Sequence, residues 1–393
     1  MESLPCGEGM TGILEKKPRL LSDEDMQITV KNLVTPRAIV GKEFVDDVVL
    51  REAFIGVLRH KKDIAVALKV ITSILPGCGH LKRCSGNRLF LALVKSPENP
   101  GKASDSSFAS ADELKTFLIA KNVNLNIFRD DFEIVKVPER SPRTRVQFTK
   151  ASQAWPVNFH PDSSIEVIIN GNFFDSKQLE VIESCMRVCI AAAKRTAIGN
   201  EHCNGSAVIL DPDDEGISRI LAVSTARVNE HPMWHAAMLV VDLVARIRGG
   251  GAWNLSSEVI PEEGGADRKR ECPSNLPLVY PESLKSMTFP QFSHSVAPES
   301  KDKSPEDEKK CPYLCTNYWI FLLKEPCPLC AMALLHSRVS MIFYGDSNNS
   351  CGVLGSNALM HTLPGLNHRY KVWSSVLEAE CKSAAECLSV IEH

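Results

Sequence analysis

The sequence predicts an α/β chain, with a three-layer α/β/α domain over residues 176–393 preceded by a small α+β domain over 25–140. Three observations predict it. Apolar strand-like runs alternate with amphipathic helix-like runs through the second half, the pattern of helices packed on a central sheet. The first part mixes strand-like and helix-like runs, which leaves its topology open, with a ferredoxin-like β-α-β-β-α-β unit as one arrangement that fits. With 44% apolar residues in 393, the chain has enough apolar surface for two or three domain cores.

In order along the chain, residues 1–24 are polar, charged and Gly/Pro-containing, and read as a flexible tail. "QITVKNLV" and "EFVDDVVL" carry the β-branched residues of strands. Residues 61–75 place Ile64, Leu68, Val70, Ile71 and Leu75 at helical spacing, and "NRLFLALV" (87–94) reads as a buried strand. Ser110 followed by Glu113 is a capping box opening a helix. "LNIFRDDFEIVKV" reads as one or two strands, and 141–175 as a linker. A long helix is expected over 176–197, then two strands around a turn at Pro212–Gly216, then a helix from Trp234 to about Arg248. Residues 249–312 are rich in Gly, Pro, Ser and charge, and are expected to be a mostly disordered insertion. "YWIFLL" and "VSMIFYG" read as strands flanking a helix that starts at "PCPLC".

Charge gives no global case for nucleic acid, since the net formal charge is −3. It is unevenly spread. Residues 1–150 hold 24 Lys and Arg against 19 Asp and Glu, which leaves the remainder at −8. A modestly basic first part suits phosphate contact, or is an ordinary solvated surface. The N-terminus lacks a basic-then-apolar leader, and no apolar run approaches the roughly 18 residues of a membrane span. The fourteen cysteines are therefore expected to be reduced core residues or metal ligands of an intracellular, soluble protein.

Cys327 and Cys330 stand three apart at a helix start, which puts both sulfurs on one face, one turn apart. Unpaired N–H groups there favour thiolates. His235 also opens a helix, after the turn "NEHP". Two facing helix starts would offer one imidazole and two thiolates to Zn²⁺, with a fourth position left over. The bland alternative is a buried histidine beside two unmetallated core cysteines. A competing pair, Cys311 and Cys315, sits at a loop edge and reads as structural.

Two residues past His235, where an acid would serve a zinc hydrolase, stands Ala237. Zinc deaminases pair a His-x-Glu motif with Pro-Cys-x-x-Cys, the Glu moving protons to and from the reacting base. A methyl group can do neither. Glu230 lies five residues before His235 and Asp242 seven after it, while Glu325, before the cysteine pair, reads as making structural hydrogen bonds; none is well placed to replace the acid.

At these residues, and through "HPMWHAAMLVVDLVAR", "PYLCTNYWIFLLKEPCPLCAMALLHSRVSMIFYG" and "GVLGSNALMHTLPGLNHRYKVW", the chain resembles the cytidine and deoxycytidylate deaminase superfamily. More closely, it resembles the non-catalytic subunits of eukaryotic tRNA-specific adenosine-34 deaminase heterodimers. The resemblance covers most of 145–393 and is weaker before it. It implies a cytidine-deaminase-like fold, Zn²⁺ held by His235, Cys327 and Cys330, no catalytic residue because Ala237 replaces the Glu, a catalytic deaminase paralog as partner, and tRNA as the bound nucleic acid. It also implies a role in converting wobble adenosine to inosine, in nucleus and cytoplasm, with no membrane attachment. An autonomous zinc deaminase using a nonstandard acid is the alternative, and a nucleotide-binding zinc protein unrelated to RNA a third reading.

For RNA, the densest basic clusters of the first domain are Arg59, Lys61 and Lys62, and Lys82 with Arg83; such clusters are more often solvated faces than phosphate sites, and it is the resemblance that implies a part in RNA binding. "LNHRYKVW" (366–373) mixes bases with aromatics in a way that suits RNA or partner contact. The helix face of Met332, Leu334 and Leu335 reads as core or as a dimer surface.

Overall fold

The computed structural model describes residues 34–95, 107–129, 131–196, 205–214, 217–253, 255, 258–259, 278–293 and 313–389. The chain begins with β1 (Arg37–Ile39) and a helical turn α1 (Lys42–Val45), then forms β2 (Leu50–Val57), α2 (Ile64–Ile74), β3 (Cys84–Ser85), β4 (Arg88–Val94), β5 (Ser107–Phe108), α3 (Ala111–Ala120) and β6 (Glu133–Pro138). The segment "EFVDDVVL", expected as strand, instead turns helically and becomes strand only at Leu50. From β2 to β6 the sheet order is β3-β4-β2-β6, with each of these neighbours antiparallel. That is the ferredoxin-like arrangement, with the short β5 added in parallel to β4.

Period-two alternation divides this sheet's side chains between two cores. Phe54, Leu89 and Leu91 pack beneath Ala67, Ile71, Leu114 and Leu118 of α2 and α3. Ala53, Ile55, Phe90 and Val137 face the other way, onto Trp155 and Val157. Ser110 caps α3 by accepting from the Glu113 amide at 3.2 Å, while the Glu113 carboxylate accepts from the Ala109 amide at 2.7 Å.

Residues 141–175 are not a linker in the physical sense. They form α4 (Arg145–Ala154) and α5 (Ser163–Ile169). Trp155 is 1% exposed and donates its indole N–H to the Lys82 carbonyl at 2.8 Å. Val157 bridges to Leu81. Without this segment the sheet's second face would lie open.

The second domain consists of α6 (Ser176–Thr196), the hairpin β7 (Ser206–Asp214) and β8 (Ile217–Thr225), α7 (Ala236–Ile247), the short pair β9 (Glu258–Val259) and β10 (Tyr280–Pro281), β11 (Trp319–Lys324), α8 (Pro328–His336), β12 (Met341–Asp346), β13 (Lys371–Ser374) and α9 (Glu378–Ser389). Its sheet runs β1-β13-β12-β11-β7-β8. Strands β11, β12 and β13 are parallel, so both of their faces need cover, which explains unbroken apolar runs such as "WIFLL". α7 and α8 bury one face and α6 and α9 the other, giving the three layers expected.

Two boundaries differ from the sequence expectation. β1 lies before the first domain, yet it pairs antiparallel with β13 in the second domain's sheet. The chain thus starts in one domain, builds the other, and returns. Within the segment expected to be a disordered insertion, residues 278–293 are packed: Leu284 is fully buried, and the Val279 carbonyl and amide bond Val223 and Leu221 at 3.0 Å each. Apolar residues there cover the β8 edge. The tail 1–24, Cys311, and residues 254, 256–257, 260–277 and 294–312 of the insertion lie outside the described residues.

Candidate metal centre

His235 is the N-cap of α7, and its carbonyl accepts the amides of Met238 and Leu239 at 3.0 and 2.9 Å. Cys327 is the N-cap of α8, with Pro328 in the first turn, where a missing N–H costs nothing. Cys330 sits three residues on, buried beneath that turn. Because α7 and α8 lie on the same face of the sheet, their starts meet. The His235 Nδ1 lies 3.2 Å from the Cys330 Sγ and 3.6 Å from the Cys327 Sγ. A tetrahedral zinc ion with ordinary Zn–N and Zn–S bonds sets an N···S edge of about 3.5 Å. Distances and donor chemistry therefore both fit Zn²⁺. Among the described residues this is the one cluster of three or more His, Cys, Asp or Glu donors close enough to hold a metal, its ligand atoms all within 4.8 Å of one another.

The Cys327 thiol is pushed down to about 4, first by a hydrogen bond with the Cys330 side chain and further by His235, against the opposing effect of burial. Burial has the reverse effect elsewhere, raising the Cys189 and Cys315 thiols to about 12. In metal-free protein Cys327 is thus a thiolate above about pH 4, whereas core thiols stay protonated. Alkylation of Cys327 is expected to be nearly flat from pH 5 to 8. For an ordinary thiol the rate rises about tenfold per pH unit over that range. At pH 5 the Cys327 advantage is roughly fifty-fold, after allowing for the weaker nucleophilicity of a low-pKa thiolate. Mass-spectrometric rates for each cysteine check this; a Cys327 rate that climbs with pH like its neighbours' would contradict it, and added zinc should protect the site.

Ala237 lies fully buried in the first turn of α7. The three candidate substitute acids are all engaged elsewhere. Glu230 faces Arg227 at 4.0 Å. Asp242 accepts from the Ala252 amide and pairs with Arg246 at 3.4 Å. Glu325 is fully buried, with both oxygens accepting from the 348–356 loop. Glu325 thus makes the structural hydrogen bonds expected of it; their partners, in the 348–356 loop, carry no signal in the sequence.

The basic residues singled out in the sequence are not brought together. Lys61 and Lys62 are exposed at the start of α2, beside Arg59, whose Nε donates to the Phe128 carbonyl at 2.7 Å. Lys82 is exposed near the far end of that helix. An eleven-residue helix is about 16 Å long, so the two clusters are one helix length apart. Arg83 has a structural task. Its Nη2 donates to the carbonyls of Leu75 at 2.8 Å and Ile71 at 3.4 Å, closing the C-terminus of α2. Burial pulls its pKa down from the ordinary arginine value.

Leu334 and Leu335 of α8 are core, but Leu329 and Met332 point outward at 40% and 37% exposure. In "LNHRYKVW", Tyr370 and Trp373 are core, and His368 bonds the Val339 carbonyl at 2.7 Å.

No family model matches the chain. Over 250 residues it is 33% identical to the Homo sapiens protein "Probable inactive tRNA-specific adenosine deaminase-like protein 3", a match covering 63% of each chain. The Danio rerio protein of the same name is 35% identical over 259 residues, 66% of each. The Arabidopsis thaliana "tRNA-specific adenosine deaminase TAD3" is 26% identical over 421 residues, 93% of this chain and 95% of that one. The similarity thus spans a little under two thirds of the human relative's length.

Proposed function

We propose that the chain, as a member of the family of the probable inactive tRNA-specific adenosine deaminase-like 3 proteins and TAD3 to which it is similar, is a zinc-holding, catalytically silent subunit that positions tRNA for an active deaminase paralog. The observation that carries this reading is the pairing of an intact His235, Cys327 and Cys330 cage with a buried Ala237 where the proton-carrying acid belongs. In catalytic members of such folds the bound ion supplies an activated water. Here His235, Cys327 and Cys330 fix two helix starts to one another, and Ala237 offers no proton. Positioned acid–base groups contribute roughly 10²–10⁴-fold to a rate, so the chain alone should be silent.

Two further features support a subunit role. Leu329 and Met332 present an apolar helix face suited to a partner protein. Lys61, Lys62 and Lys82 remain exposed on the more basic part of the chain, where RNA phosphates would be met. Among the described residues no helix is long and apolar enough to cross a membrane. Nucleus and cytoplasm, where tRNA is made and used, are the proposed locations.

The alternative, an autonomous deaminase with a nonstandard acid, is disfavoured because Asp242 and Glu325 are buried in other contacts and Glu230 is exposed beside Arg227, before the helix that His235 caps. An assay on tRNA bearing a wobble adenosine separates the two. The expected result is about one zinc per chain, no inosine from the purified chain, and inosine once a catalytic paralog is added. Turnover by the chain alone would overturn the proposal.

A further inference from the structure

Glu325 occupies an unusual place for a charged residue. It is fully buried at the end of β11, two residues before Cys327. Its Oε1 accepts from the amides of Leu354 at 2.8 Å and Ser356 at 3.0 Å, and its Oε2 from the Asn348 amide at 3.1 Å and from the Ser356 hydroxyl. Its main chain is held as well: the amide donates to the Asp346 carbonyl at 2.8 Å, and the carbonyl accepts from the Asn348 side chain at 3.3 Å.

The loop gathered this way reaches the metal cage. The Val353 amide donates to the carbonyl of Pro326, the residue next to Cys327, at 3.3 Å. Leu354 is buried in the core that also contains Cys330, and Val353 and Cys327 pack at its edge. Gly352 has no room for a side chain, because a Cβ there would lie 2.3 Å from the Glu325 Oε2 and 2.6 Å from the Asn348 carbonyl oxygen. The loop is therefore wound tightly around the carboxylate.

We propose that Glu325 is a positioning residue of the metal cage, folding 348–356 into a buttress against Pro326 and so fixing the backbone from which Cys327 reaches the ion. This rests on the zinc reading above. Glu325 touches neither ion nor substrate. It acts through Cys327, as outer residues that orient a ligand generally do.

A buried acceptor with four donors stabilises a fold whatever its purpose, so a melting temperature does not decide the matter; metal affinity and ligand geometry do. The test uses the full chain, with zinc affinity measured against a chromophoric chelator and thiolate-to-metal charge-transfer bands recorded with Co²⁺. Glu325→Gln replaces one oxygen with an amide NH₂ that faces other donors. It is expected to weaken zinc binding about 10–100-fold and to alter the cobalt bands, whereas Ile71→Val in α2 lowers stability and leaves both unchanged. Should Glu325→Gln not fold, Ser356→Ala, which removes a single donor, is expected to weaken binding several-fold. Wild-type affinity and wild-type cobalt bands in whichever of these variants folds would overturn the proposal. A wild-type chain that binds no zinc is a separate outcome, and it removes the metal reading and this inference together.

Discussion

Cys330→Ser is expected to release the metal and lower the melting temperature by roughly 8–16 °C. A serine hydroxyl does not ionise at neutral pH, so the cage loses a charged ligand, and the two that remain make a poor zinc site. The size of the effect follows from linkage. A ligand that binds only the folded state, present at about a thousand times its Kd, contributes about 4 kcal/mol. For a domain of this size each kcal/mol moves the midpoint by about 2–4 °C. Metal loss is also felt widely, because the cage joins the first turns of α7 and α8, whose inner faces share one core. Without the ion, the Cys327 thiolate keeps only its contacts with His235 and, in the wild type, with Cys330. Two measurements check the prediction. A strong chelator should bring the wild type down to the melting point of the variant. Cys315→Ser, at a fully buried cysteine outside the cage, should lose some stability yet keep its zinc. Stoichiometric zinc in Cys330→Ser, or a wild-type melting point indifferent to chelator, would contradict the structural role.

The cage was legible in the sequence because its signals are local. Cys327 and Cys330 are one helical turn apart, and His235 follows a turn at a helix start; each says what its own side chain can do. What brings them together is only implied, through two helices that both have to cover the same face of a mixed sheet. The first domain's strand order was not legible: the alternation of strands and helices fitted a ferredoxin-like unit without fixing it, and only the pairings that give β3-β4-β2-β6 decide it. Arg83 is ambiguous in the sequence because a basic dipeptide looks alike whether it meets phosphate or a helix C-terminus. The distinguishing fact is that its guanidinium reaches back to Leu75 and Ile71. Trp155 reads as part of a linker because its segment shows neither helical nor strand periodicity; its partners, Phe90 and Val137, belong to a face defined only once the sheet exists. Glu325 and Ser356 are 31 residues apart, and nothing in either segment announces the other.

The widest gap of this kind is β1, and it governs the second large effect. A chain that begins at residue 158, meant to remove only the first domain, is expected to be several kcal/mol less stable than the intact second domain and to aggregate. The cut also removes Arg37–Ile39, which pairs with Val372, Trp373 and Ser374 more than 330 residues later. Ile39 packs against the core under α7 and α8, and Val34 and Ala38 against the opposite one. The His361 Nε2 donates to the Ile39 carbonyl at 2.9 Å, and the Ser374 hydroxyl to the Arg37 carbonyl at 3.3 Å. Losing the apolar contacts alone costs about 2–4 kcal/mol. Losing the strand leaves β13 as an open edge next to an aromatic core, a template for pairing between molecules. A better deletion keeps residues 34–39 and replaces only 40–157 with a flexible linker long enough to return to Asn158. This version is expected to stay monomeric and to melt well above the simple truncation. It is also the version on which tRNA affinity should be compared with the full chain, since any loss in the shorter one would mix a missing RNA surface with a damaged sheet. If the two deletions melted together and behaved alike on a sizing column, β1 would be an ornament to the sheet and the first domain an independent appendage. If they separate, the first domain hangs between two segments of chain that both belong to the second domain, tethered at its entry and its exit.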